Sequence, residues 1–157
     1  MALYSRYSFL YIPLKISNAF KTITSRLDMA GFVNCIIQNE LNEFLFQKKD
    51  SKYPHFPGKW VLFGGAIEEN ESSEEAIRRE LLDEIGISFK PSFLFEVEYT
   101  ITGKKIKGIT FFSKFSENLS HIKLSEGNGF AFFSESETDR NDVRLDDKKV
   151  IKRFLNG

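Results

Sequence analysis

The stretch from Gly64 to Ile87 reads GGAIEENESSEEAIRRELLDEIGI, and it constrains the fold more than any other part of the chain. Ser72 and Glu75 stand in the S-x-x-E spacing of a capping box, which satisfies orphan donors at a helix start. Gly86 suits the left-handed turn just past a helix end. The spacing therefore predicts a helix over about Ser73–Ile85, with Ile77, Leu81 and Ile85 at i, i+4 and i+8 as its buried stripe. On that helix Glu80, Asp83 and Glu84 span an arc of about 100°. Like charges at i, i+4 destabilise a helix by about 0.2–0.5 kcal/mol per pair. Two readings relieve the conflict. In one, the helix is solvated and laced with ion pairs, since Glu74–Arg78, Glu75–Arg79 and Arg79–Asp83 are all i, i+4. In the other, the carboxylates face a divalent cation, because hard ions such as Mg²⁺ take oxygen ligands. Two features outside the helix favour the cation. Gly64-Gly65 follows a strand directly, where glycine lets backbone approach a ligand closely. Glu71 lies ahead of the helix, where it can brace the loop through backbone hydrogen bonds or a pair with Arg79.

The rest of the composition bounds what such a helix can serve. At 157 residues the chain suits one domain with a single core. Basic and acidic residues number 22 each, so no global field favours nucleic acid, anionic lipid or a basic partner. No extended nucleic acid and no membrane is therefore expected as partner. The lone cysteine, Cys35, lies in an apolar run and reads as a buried, inert thiol. No apolar run approaches the roughly 20 residues that span a bilayer. Near the start, Ser8–Ile12 is shorter than a secretory apolar region and lacks a small-residue cleavage site. A cytoplasmic protein is expected.

Residues 1–27 read as an N-terminal extension packed on the domain, with Leu14, Ile16, Ala19, Phe20, Ile23 and Leu27 at near-helical spacing. Residues 28–157 form the domain. Ala30–Gln38 (AGFVNCIIQ) reads as a buried strand, Asn39–Asn42 as a turn, and Glu43–Lys49 as the second strand of a hairpin. Asp50–Lys59, with Pro54, Pro57 and Gly58, is a loop. Trp60–Phe63 is a short strand running into the double glycine. Phe93–Ile101 and Gly108–Phe115 are strands joined by a turn over Thr102–Lys105, Phe130–Phe133 is a last strand, and Asp146–Leu155 is a closing helix. Strands on both sides of a central helix predict an α/β (α+β) fold with a mixed sheet covered by helices.

The residues Gly65, Glu71, Arg79-Glu80-Leu81, Asp83-Glu84 and Gly86-Ile87 keep every spacing of the pattern G-x5-E-x7-R-E-U-x-E-E-x-G-U (U aliphatic). In this the chain resembles the Nudix hydrolases, which include the MutT-like enzymes. Asp83 departs from the family's usual glutamate, and Phe63 from a proline common there. The resemblance covers about residues 28–157 and implies a Nudix-type α/β/α sandwich around a central mixed sheet. It implies a Mg²⁺ cofactor, with Mn²⁺ as substitute. It implies metal binding by Gly65 (through its carbonyl), Glu80, Asp83 and Glu84. Glu80, Glu84 or a residue from another loop would serve as base toward a water. Glu126, six residues before the aromatic Phe132, resembles a glutamate that joins the metal site in MutT-like enzymes; an ordinary Gly-rich turn is the competing reading. Glu71 and Arg79 look structural or orienting. Ala66 stands where some relatives carry a lysine near phosphate.

The expected reaction is hydrolysis of a pyrophosphate bond in a small nucleoside diphosphate derivative, whether a nucleoside triphosphate, ordinary or oxidised, or a nucleotide sugar. A non-catalytic nucleotide sensor and an RNA 5′-end pyrophosphohydrolase are the alternatives. Many relatives are dimers, so a homodimer is in keeping with the family. Phe56, Trp60 and Phe63 are candidates to stack a base, with core packing the competing fate for at least two of them. His55 and His121 read as loop histidines, and Lys104, Lys105 and Lys107 as a solvated hairpin tip.

Overall fold

The computed structural model describes residues 31–101 and 103–157, together with the backbone of a two-residue strand, β1 (Tyr7–Ser8). The helical spacing read in residues 14–27 lies outside the described residues. The centre of the fold is β2 (Phe32–Gln38), buried from Val33 to Gln38. Its near-continuous apolar run is what a strand covered on both faces requires. It pairs in parallel with β7 (Lys104–Lys114), from Phe32 opposite Gly108 to Gln38 opposite Lys114. On its other edge it pairs antiparallel with β3 (Phe44–Lys48) and β5 (Phe63–Ala66). β8 (Gly129–Phe133) and β6 (Ser92–Ile101) extend the sheet to either side, giving the order β1-β8-β3-β2-β7-β6. One parallel pair among antiparallel ones makes the sheet mixed, as the sequence predicts.

Alternation along β2 sends successive side chains to opposite faces. Val33, Cys35 and Ile37 pack with Ile77, Leu81 and Ile85 of α1 (Ser73–Ile85). Ile36 points the other way, into a cluster with Phe44, Phe46, Trp60 and Phe133 and with Val150 and Ile151 of α2 (Leu145–Leu155). Helix, sheet and helix therefore stack as the expected sandwich. Cys35 is fully buried, and burial pushes its thiol well above the usual range.

The helix α1 has the predicted bounds, and its capping box is complete. Ser72 Oγ accepts from the Glu75 amide at 3.2 Å, and the Glu75 carboxylate accepts from the Ser72 amide at 2.8 Å. Gly86 takes the left-handed conformation, and its amide donates to Leu82. Two strands differ from expectation. Trp60–Phe63 does not run as one strand. β4 (Trp60–Val61) pairs with β3, β5 pairs with β2, and between them the Leu62 amide donates to the Asp147 carboxylate. β7 starts at Lys104, earlier than Gly108, because cross-strand pairs Lys105–Glu98 (2.8 Å) and Lys107–Glu96 (2.6 Å) line the β6–β7 hairpin. Lys104, Lys105 and Lys107 are exposed, as read, but they stand on β7 itself and not in the turn.

Candidate active site

A cleft of about 200 Å³ opens between the C-terminal half of α1, the β5 glycines, the end of β3 and the start of α2. Gly65, Glu80, Glu84 and Glu126 all line it. Each arrives by a different route. Gly64 and Gly65 are placed by register, opposite Asn34 and Val33 of β2. At Gly64 a Cβ would stand 2.1 Å from the Val33 carbonyl oxygen, and its φ of +146° excludes most side chains. At Gly65 a Cβ would meet the carboxyl carbon of Glu80 at 2.4 Å. The missing side chain is thus the seat of Glu80. Glu126 is brought in by the loop that docks on the end of α1, where the amides of Lys123 and Ser125 donate to the Ile85 and Glu84 carbonyls. Gly127, with φ +79°, then presses against the Lys48 carbonyl.

Glu84 is the deepest carboxylate, only 5 % exposed. It accepts from the Gly64 amide at 3.2 Å and from Gln47 Nε2 at 3.1 Å. Lys49 Nζ lies 3.7 Å away and is also buried. Burial raises the Glu84 pKa to about 7, against the opposing pull of Lys49, with Glu80 and Glu126 adding to the rise. Burial likewise raises Glu80, although Arg79 pulls it down. For Lys49, burial acts to lower the pKa, but Glu84, Tyr53, Glu126 and Glu80 outweigh it and hold the ammonium charged. Desolvated carboxylates that crowd one another are an electrostatic conflict that a bound cation relieves, as does uptake of a proton.

Glu71 and Arg79 brace this arrangement from outside the cleft. Arg79 grips Glu71 with Nε and Nη2 at 2.7 and 2.8 Å, donates to Glu80 at 2.7 Å, and reaches the Ala66 carbonyl at 3.1 Å. Glu71 also accepts from the Glu68 amide at 3.0 Å, and the hydrogen bond from Arg79 holds its carboxyl below the usual range. Of the two expected bracing modes, both occur. The partners of Arg79 are Glu71 and Glu80, and the i, i+4 lacing to Glu75 and Asp83 is not what anchors it.

Asp83 is exposed on the neighbouring face of α1 and does not line the cleft. Trp60 and Phe63 are corrected from base-stacking candidates to core residues. They are 3 % and 0 % exposed, with Trp60 packed edge-on against Phe133 at 5.0 Å. Phe56 does line the cleft, as does His55 at its rim. His121 pairs with Glu117 on the surface at 2.9 Å. Sequence reasoning missed Gln47, Lys49, Asn34, Tyr99, Arg144 and Asp147. Two had a visible signal. Asn34 interrupts an apolar strand, and Asp147 sits on the buried stripe of α2 with Val150, Ile151 and Phe154.

Comparison with known proteins bears on the family and the fold. A family model described as NUDIX domain matches residues 31–154. A nucleoside triphosphatase NudI from Enterobacter sp. (strain 638) is 47% identical over 51 residues, covering 32% of this chain and 36% of the relative. The match thus spans about a third of that protein's length. The crystal structure of a MutT protein from Methanosarcina mazei Go1 has a TM-score of 0.72 and 27% identity, covering 80% of this chain and 91% of the other. The dihydroneopterin triphosphate pyrophosphohydrolase of E. coli has a TM-score of 0.68 at 15% identity, covering 80% and 95%, a likeness of fold.

Proposed function

Because the chain belongs to the NUDIX domain family, we propose that it hydrolyses a pyrophosphate bond in a small nucleoside diphosphate derivative, by water attack at phosphorus, with Mg²⁺ as cofactor and Mn²⁺ as substitute. The observation that carries this reading is the convergence of Gly65, Glu80, Glu84 and Glu126 on one cleft. The NudI relative, a nucleoside triphosphatase, makes nucleoside triphosphates the first substrates to test.

The donor set fits a hard divalent ion, since every candidate is an oxygen. Among the described residues, no three acidic, histidine or cysteine groups already form a closed nest. Glu80 would have to share or release its bond to Arg79 to complete one. Glu80, Glu84 and the Gly65 carbonyl would hold the ion, with Glu126 joining from the cleft mouth. Asp83, exposed and one methylene shorter than the family's usual glutamate, would reach it at most through water. When bound, the ion supplies neutralisation of phosphate charge and a lowered pKa for an attacking water.

The chain's own residues do the rest. Arg79 and Glu71 fix the backbone of the β5–α1 loop, and so the seat of Glu80. Lys49 places a positive charge beside Glu84, where it can approach a substrate phosphate. Glu126, the most exposed of the three cleft glutamates, is best placed to accept a proton from water and pass it to solvent. The test is a panel of nucleoside triphosphates and nucleotide sugars with Mg²⁺ or Mn²⁺, read for phosphate and pyrophosphate. Turnover that requires the ion supports the reading; no release across the panel overturns it.

A further inference from the structure

One buried polar side chain behind the cleft does not fit a packing role. Leu45, Gln47 and Lys49 alternate onto the α1 side of β3 and its end. Leu45 packs into the cluster of Ile77, Leu81 and Ile85, while Gln47 and Lys49 meet Glu84. Gln47 is 0 % exposed and stands outside the cleft lining. Its Nε2 donates to Glu84 Oε1 at 3.1 Å, but its own Oε1 is buried with no partner. That oxygen lies under the Glu126 loop, 3.5 Å from where a Cβ on Gly127 would stand. With Glu84 charged, the amide can face it only through Nε2. A buried acceptor without a donor costs about 1–3 kcal/mol. An apolar side chain of the same length would avoid that cost and would lose only the donation to Glu84.

Among the described residues, Glu84 takes one hydrogen bond on each oxygen, and both donors are neutral. Gln47 holds Oε1, and the Gly64 amide holds Oε2 at 3.2 Å. Lys49 Nζ, at 3.7 Å, stands beyond hydrogen-bond distance. Glu80 is the contrast, gripped by the Arg79 guanidinium at 2.7 Å. Two neutral donors at fixed points set the plane of a carboxylate without cancelling its charge. We infer that Gln47 is a positioning residue for a divalent cation, orienting Glu84 from behind so that its remaining lone pairs are presented to the cleft. The inference deepens the reading proposed above and rests on its ion site. Hydrogen bonds that orient a metal-binding side chain are worth about 10–100-fold in affinity. A glutamine that only satisfied the buried charge predicts the opposite sign. Its loss would leave Glu84 short of a donor, and a cation would then bind at least as tightly.

The test is titration of the full chain with Mn²⁺ in the absence of nucleotide, followed by calorimetry, so that binding is read apart from hydrolysis. Gln47→Met keeps the length of the side chain and removes the donor. Gln47→Asn keeps the amide and stops one methylene short of Glu84. Each should raise the Mn²⁺ dissociation constant about tenfold or more, while a thermal melt without the ion shows that the variant folds cooperatively. If one substitution prevents folding, the other decides. Unchanged or tighter binding in a folded variant overturns the inference, as does an unmodified chain that binds no Mn²⁺. Weakened binding in the variants, with no nucleotide hydrolysed by the unmodified chain, would sink the hydrolase reading alone. Ion-dependent hydrolysis with equal Mn²⁺ affinity in all three proteins would sink this inference alone.

Discussion

Two adjacent glycines show how much one side chain decides. Gly64 faces backbone, with the Val33 carbonyl oxygen and the Asn34 Cα at 2.1 and 2.7 Å from a would-be Cβ. At Gly65 the three atoms nearest a would-be Cβ all belong to the carboxyl end of Glu80. Gly64→Ala is expected to destabilise the fold by at least about 2 kcal/mol, because backbone cannot step aside and the φ is unfavourable. Gly65→Ala should leave the melt within about 1 kcal/mol and push Glu80 aside, lowering turnover about 100-fold. A thermal melt beside an assay on each variant separates the two; equal stability loss at both positions would refute this division. Glu84→Gln has the same logic at the opposite carboxylate. It keeps shape and removes charge, so a folded protein with most of its turnover lost is expected. Retained Mg²⁺-dependent turnover would count against the proposed function itself.

At the scale of elements, α1 was legible because its signals are local. The capping pair, the i, i+4 stripe and the terminal glycine all act within one helix, and they gave its bounds correctly. Ser72→Ala, which removes the cap oxygen, should cost about 1 kcal/mol and lower Tm by about 3 °C. The split of Trp60–Phe63 was not legible, because its cause is Asp147, distant in sequence, taking the Leu62 amide out of the ladder. The cleft's inner wall was hidden for the same reason. Asn34, Tyr99, Arg144 and Asp147 come from β2, β6 and the start of α2, and only the sheet order brings them together. The carboxylate end was visible because Glu80 and Glu84 share a helix face. Lys49 was not, since a lysine at a strand end looks like solvent-facing charge until the neighbouring loop buries it.

Asp147 also ties α2 to the sheet, and its titration should be visible in stability. Burial raises its pKa from 3.8 to about 6, even with Arg144 and the Leu62 amide opposing. The folded state therefore binds this proton more tightly than the unfolded chain does. That contribution is fully present below about pH 4 and is lost as pH rises through about 6, amounting to about 3 kcal/mol. Asp147→Asn keeps an acceptor for the Leu62 amide and does not titrate. Denaturant melts between pH 4 and 8 should give the variant a flatter profile than the parent, by up to that amount. Parallel profiles would show that water or Arg144 already relieves the buried charge.

Across the whole molecule, charge is balanced in number but not in place. The chain carries 22 basic and 22 acidic residues. Yet the cleft gathers Glu80, Glu84 and Glu126 around one buried ammonium, Lys49. The apolar packing of α1 on the sheet holds these groups together against their repulsion, so part of the folding free energy is stored as electrostatic conflict at the site. A cation that enters should return it. Because the carboxylates come from α1 and the loop before β8, and Gly65 from β5, an ion that bridges them is linked to global unfolding. At 100 times its dissociation constant, Mg²⁺ should stabilise the protein by about 2.7 kcal/mol, or roughly 8 °C in Tm, with no nucleotide present. Asp83→Asn should keep that rise, since Asp83 stands outside the cleft. Glu84→Gln should lose most of it. Addition of a chelator should return the parent to the ion-free melt. A Tm indifferent to Mg²⁺ in the parent would mean that Lys49 and Arg79 already balance the carboxylates, and the cleft would then be a closed ion-pair network with no call for a metal.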